Sequence, residues 1–139
     1  MAYNDQNIFA KILRQEAPCI KLYEDDKTFS FMDVMPQADG HALVIPKYAA
    51  ENLFDLPPDF YMAMAVTTQK VAAAVKQAMN APGIMIAQLN GSEAGQTVFH
   101  IHNHIIPRWN GIDLKLHARS MADMSVLEEQ AKKIRAALE

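Results

Sequence analysis

From Phe99 to Pro107 the chain reads Phe-His-Ile-His-Asn-His-Ile-Ile-Pro, with His100, His102 and His104 at every second position. Residues two apart in a strand share a face, so this period stands three imidazoles in a row, about 6.6 to 6.8 Å apart, along one wall of a site. The alternate positions Phe99, Ile101 and Ile105 then face a core. Asn103 interrupts that apolar stripe, and its amide calls for a hydrogen-bond partner at a sheet edge or beside a helix. A strand with one chemical face and one apolar face needs neighbours, and the rest of the chain supplies them.

Ile8, Phe9, Ile12 and Leu13 fall at helical spacing, and Pro18 closes that first helix. Ile20–Glu24, Thr28–Asp33 and His41–Ile45 read as antiparallel strands, separated by the Glu24-Asp25-Asp26-Lys27 turn and by Asp39-Gly40. Asp55 and the Pro57-Pro58 pair start a long helix that runs to about Asn80. Its Met62, Met64, Val66, Val71, Ala74, Val75 and Met79 carry no chemistry at helical spacing and suit packing across a sheet. Ile84–Leu89 adds a strand, Asn90–Gly95 a polar loop, and Thr97–Pro107 the histidine strand. Ser125 with Glu128 forms a capping box for a terminal helix carrying Met124, Leu127, Ala131, Ile134 and Leu138. The expectation is an α+β fold: a five-stranded antiparallel sheet with a long helix packed on it, plus a C-terminal helix, in one domain over 1–139.

Composition narrows the function. Half of the 139 residues are hydrophobic, and 13 Lys plus Arg stand against 16 Asp plus Glu, a net charge of −3. That balance excludes a protein that holds polymeric nucleic acid by neutralising phosphates, while leaving small nucleotides open. The longest apolar stretch, Tyr61–Val66, falls far short of the roughly 18 residues of a membrane span. Cys19 is the only cysteine, so neither an internal disulfide nor a paired-thiolate zinc site can form, which fits a reducing compartment. Met1–Asn7 is polar and lacks the basic and apolar regions of a secretory signal, and the expected location is the cytoplasm.

Three aligned imidazoles admit two chemistries. They can ligate a metal, with His41 or a distant carboxylate completing the shell. Alternatively, a neutral imidazole attacks phosphorus well near pH 7 while its neighbours orient it, with a rate that falls below pH about 6.5 as the nucleophile protonates. The preceding Asn90-Gly91-Ser92-Glu93-Ala94-Gly95-Gln96-Thr97 suits hydrogen bonding to phosphate oxygens and lacks the Gly-Lys-Ser/Thr ending of a triphosphate loop. Joined to the histidines, it points to a phosphate ester or anhydride.

The run GQTVFHIHNHIIPR, Gly95 to Arg108, resembles the signature of the histidine triad (HIT) family of nucleotide hydrolases and transferases. IFAKILRQEAP (Ile8 to Pro18), YEDDKTFSFMDVMPQADGHALVIPK (Tyr23 to Lys47) and Asn90-Gly91 resemble its nucleoside phosphoramidase branch. The likeness covers most of 8–109 and leaves 110–139 as a C-terminal extension. It implies that His102 is the nucleophile, forming a nucleotidyl-histidine on the α-phosphate of a purine nucleoside 5′-phosphoramidate or related conjugate and releasing a nucleoside monophosphate. His100 and His104 would orient it and contact phosphate oxygens, with His41 as a fourth histidine. Gln96 and Thr97 would lie near the phosphate and leaving group, Asp33 would bind the ribose hydroxyls, and Phe9, Phe31 and Val34 would surround the base. Leu89 stands where many relatives have an Asn that faces the nucleotide, which leaves Asn90 as its substitute, and Asn103 replaces a hydrophobic residue usual in the triad. Asn7 and Ala10 stand where some bacterial relatives carry zinc-binding cysteines, so no metal and no cofactor are expected. The likeness further implies a homodimer whose sheets join into one. Two other readings stay open: a dinucleoside polyphosphate hydrolase of the same family, and a nucleotide- or metal-binding regulator without turnover.

Overall fold

The computed structural model describes residues 2–114 and 121–139. Its first half is a meander set by local turn chemistry. Asp25 Oδ1 accepts hydrogen bonds from the amides of Lys27 (3.0 Å) and Thr28 (2.8 Å), which folds β1 (Lys21–Glu24) back on β2 (Thr28–Met32). Gly40, at φ +81°, turns the chain into β3 (Ala42–Pro46); a side chain there would strike Met79, whose Cγ lies 2.5 Å from where its Cβ would be.

A short helix α1 (Ile8–Leu13) precedes the meander; α2 (Pro58–Ala78), β4 (Gly83–Gln88), β5 (Asn103–Arg108) and α3 (Met124–Leu138) follow it. The five strands form one antiparallel sheet, as the sequence predicts, and their order is β1-β2-β3-β5-β4. On one face Leu22, Met32, Val44 and Ile105 pack under Val71 and Val75 of α2 and Leu127, Ala131 and Ile134 of α3. On the other, Phe29, Phe31, Leu43 and Ile45 meet Phe9 and Ile12 of α1. Sheet register carries this second face to the histidines, because Phe31 pairs with Leu43 and Leu43 with His104. Among the described residues no helix is long and apolar enough to cross a membrane.

Three expectations about elements change. The first helix stops at Leu13, before Pro18, because Gln15 adopts φ +63° and the Glu16 amide closes onto the Lys11 carbonyl at 2.8 Å. The terminal helix is capped by Asp123, not Ser125: the Asp123 carboxylate accepts from the Ser125 amide (2.9 Å) and hydroxyl (2.8 Å), while Glu128 pairs with Arg135. An ionised carboxylate is the stronger acceptor, and it lies two residues upstream. The histidine strand begins only at Asn103. Before it, the Ile101 amide bonds to Ala50 O, and His100 O is taken by the His102 side chain, so those groups serve contacts other than a strand ladder. Phe99 therefore does not face the core and stays exposed, whereas Ile101 and Ile105 are buried as expected.

Candidate active site

The four histidines converge from two chain segments. His41 ends the Gly40 turn, His104 sits on β5 beside it, and His100 and His102 occupy the irregular segment leading into β5. The rings of His102 and His104 lie 4.9 Å apart, and those of His41 and His104 5.1 Å apart. Phe9 of α1 meets the His102 ring edge-on at 4.9 Å, and Phe31 in turn packs against Phe9 at 5.3 Å.

Hydrogen bonds fix the tautomers. The Gln37 amide donates to His41 Nδ1 (3.0 Å), so the neutral His41 ring carries its proton on Nε2 and donates it to His104 Nδ1 (2.9 Å). His104 is then left with Nε2–H as a donor. A carbonyl can only accept, so His102 donates Nδ1–H to His100 O (2.8 Å) and keeps its lone pair on Nε2. His100 likewise donates Nε2–H to Pro46 O (2.9 Å), and its Nδ1 takes the Tyr3 hydroxyl at 2.6 Å.

Burial keeps this cluster uncharged at neutral pH. Loss of water pushes His41 down to about 3 and His100 and His104 to about 4, with neighbouring imidazoles adding to the effect, and it also lowers His102. Asp33, just past β2, responds in the opposite sense. Its carboxyl is pushed up to about 6 by burial, although Oδ1 accepts from the Met35 amide at 2.8 Å. Its Oδ2 lies 3.4 Å from His41 Nε2, a contact between a carboxylate and a neutral ring. Asp33, His41 and His104 present ligand atoms within 4.8 Å of one another, the spacing of a metal-binding triad.

The loop residues take other parts than the sequence suggests. Gln96 is buried, donating to Glu51 O (2.6 Å) and Val98 O (3.0 Å) and accepting from the Gly91 amide (2.8 Å), so it staples the loop shut. Asn90 accepts from the Leu53 amide (2.8 Å) and donates to Gln88 Oε1 (2.9 Å). Thr97 is exposed. Val34 packs against the helix-side core, apart from Phe9 and Phe31, and its carbonyl accepts from the Ala122 amide. Asn103 bonds to Thr68 of α2 (3.0 Å) and to Gln88 (2.8 Å), the partners expected of an amide beside the long helix. Tyr3 is the contact that sequence reading missed: it lies 97 positions from His100, and no motif joins them.

A five-stranded antiparallel sheet bearing neutral imidazoles at the start of β5 is the arrangement of a histidine triad protein. The chain belongs to the HIT domain family, whose model matches residues 14–111. The crystal structure of a Hit-like protein involved in cell-cycle regulation from Bartonella henselae superposes with a TM-score of 0.91 at 48% identity, covering 98% of this chain and 99% of that one. An adenylylsulfatase, HINT3, from Arabidopsis thaliana is 38% identical over 117 residues, covering 80% of this chain and 59% of the relative. An adenosine 5′-monophosphoramidase, HNT1, from Saccharomyces cerevisiae is 39% identical over 101 residues, covering 73% of this chain and 61% of the relative. The chain thus spans about three fifths of the length of these two enzymes.

Proposed function

We propose that this protein is a nucleotide hydrolase acting on purine nucleoside 5′-phosphoramidates or related conjugates, with residues 1–139 as one catalytic domain working in the cytoplasm without a cofactor. The observation that carries the reading is the His102 ring, held by Nδ1–H on the His100 carbonyl with the Nε2 lone pair left for attack. Nε2 bonds to the α-phosphorus as the bond to the leaving amine breaks, and the amine departs with a proton taken from solvent. Water then attacks the same phosphorus and returns a proton to solvent, the phosphorus–Nε2 bond breaks, and the nucleoside monophosphate leaves. The Nε2–H of His104 donates to a phosphate oxygen, with His41 holding it in that tautomer. Both ring nitrogens of His100 are engaged within the protein, so its part is to present its carbonyl to His102 rather than to touch phosphate. Asp33 accepts from the ribose hydroxyls and Phe9 and Phe31 flank the base; Gln96 and Asn90 shape the phosphate loop, and Thr97 lies on its open side. The named activities of the Arabidopsis adenylylsulfatase and the yeast adenosine 5′-monophosphoramidase support the same reaction class.

The test is AMP release from adenosine 5′-phosphoramidate by wild type and His102→Ala, with and without EDTA. The expected outcome is EDTA-resistant release that falls by about 10⁴ or more in the variant, the scale of deleting a nucleophile. Release of AMP from diadenosine tetraphosphate at a higher kcat/KM would move the substrate to the dinucleoside polyphosphates. A second reading, metal binding without turnover, is favoured by the Asp33, His41 and His104 donors. It predicts stoichiometric zinc uptake lost in His104→Ala, and no AMP release from either protein.

We further propose a homodimer. The outer edge of β4 is unpaired in the sheet, and beside it a groove is lined by Ala65, Val66 and Ala72 of α2 and Ile84 and Ile86 of β4. A second copy of the same edge extends the sheet and covers these side chains together.

A further inference from the structure

We propose that Tyr3 is a positioning residue of this reaction, holding the His100 ring and, through it, the carbonyl that orients the nucleophile His102. The proposal rests on the nucleotidyl-transfer reading above. The orienting group for His102 is a backbone carbonyl, and a carbonyl is only as fixed as the residue that bears it. His100 is 1% exposed, so each of its ring nitrogens needs a protein partner. Pro46 O takes Nε2–H, which leaves Nδ1 as a buried acceptor requiring a donor. The Tyr3 hydroxyl is that donor, at 2.6 Å, with the two rings edge-on at 5.7 Å.

The Tyr3 oxygen is itself held. It accepts from Asn7 Nδ2 at 2.9 Å, and the same Asn7 caps α1 by accepting from the Ala10 amide at 2.9 Å. Two residues beyond Asn7, Phe9 packs against His102. The N-terminal segment therefore grips two histidines of the triad, one through a hydrogen bond and one through a perpendicular ring contact. A tyrosine required only to fill space would need neither the hydroxyl nor its amide donor.

Tyr3→Phe keeps the ring contact and removes the hydroxyl. The expected result is a kcat for AMP release from adenosine 5′-phosphoramidate that falls by about tenfold, the scale of one hydrogen bond, with KM changed by less than about twofold. In ¹⁵N spectra of the imidazoles the His100 Nδ1 resonance shifts toward that of an unbonded acceptor. Asn7→Ser retains a helix cap while removing the amide donor to Tyr3, and should cause a smaller kcat loss that disappears in the Tyr3→Phe background. Wild-type kcat in Tyr3→Phe, or a loss confined to KM, overturns the proposal. A wild type inactive on both adenosine 5′-phosphoramidate and diadenosine tetraphosphate overturns the nucleotidyl-transfer reading and the role in turnover with it. The His100 resonance reports the Tyr3 bond independently of turnover and so separates the two failures.

Discussion

Asp33 and the four histidines of the site all lose water on folding, yet that loss moves their protonation in opposite senses. The Asp33 carboxyl is pushed up to about 6, above the roughly 3.9 of an unfolded chain, so ionising it in the folded protein costs stability. That cost is present in full well above pH 6 and fades as pH falls from about 6 toward the unfolded value near 3.9. Asp33→Asn should therefore raise the stability measured by denaturant unfolding at pH 7.5, by up to about 2 kcal/mol, with the gain falling to about half at pH 5 and toward zero below about pH 4. If Asp33 binds the ribose hydroxyls as proposed, the same variant should also raise KM for the nucleotide. An equal gain at both pH values would show that the carboxylate charge is not its source. The histidines carry the reverse sign: their folded values lie below the usual 6.5, so the stability they contribute is present above that pH and is lost as pH falls. Burial of His102 likewise moves the acid limb of kcat below the pH of 6.5 that an exposed imidazole would give.

Among the elements, the sheet was legible because its turns are local: Asp25 and Gly40 announce their bends, and the apolar periods between them match the observed strands closely. The histidine segment was legible only in part. Its period of two correctly gathers His102 and His104, but the strand ladder starts at Asn103, because a distant carbonyl, Ala50 O, claims the Ile101 amide. A sequence pattern cannot display that competition between backbone partners. The same limit applies to Gln96 and Asn90: their polar character suited phosphate binding, whereas loops far away in sequence, at Glu51 and Leu53, take up their hydrogen bonds. At the start of α3 the error was a choice between two adjacent caps. Asp123→Ala should lower the midpoint of denaturant unfolding, and Ser125→Ala should lower it less. Equal losses would restore Ser125 as the capping residue.

At the scale of the whole molecule, the free β4 edge and the apolar flank of α2 form one continuous surface. Val66 is 62% exposed and Ile86 48%. Sedimentation equilibrium is expected to give a dimer for the wild type and a monomer for Ile86→Arg, which would bury a cation in the joined sheet. A monomeric wild type at micromolar concentration would remove the shared sheet from the proposal. The locked tautomers of the interior also bear on how the proposed hydrolysis would end. Every side chain in the chain of bonds from Gln37 through His41 to His104, and from Tyr3 through His100 to His102, is neutral, so anions are met by oriented N–H dipoles rather than by fixed positive charges. Such a pocket suits a singly charged phosphoryl group better than the dianion that hydrolysis leaves behind. On the proposed reaction, the nucleoside monophosphate is then a ligand poorly matched to the cavity that made it.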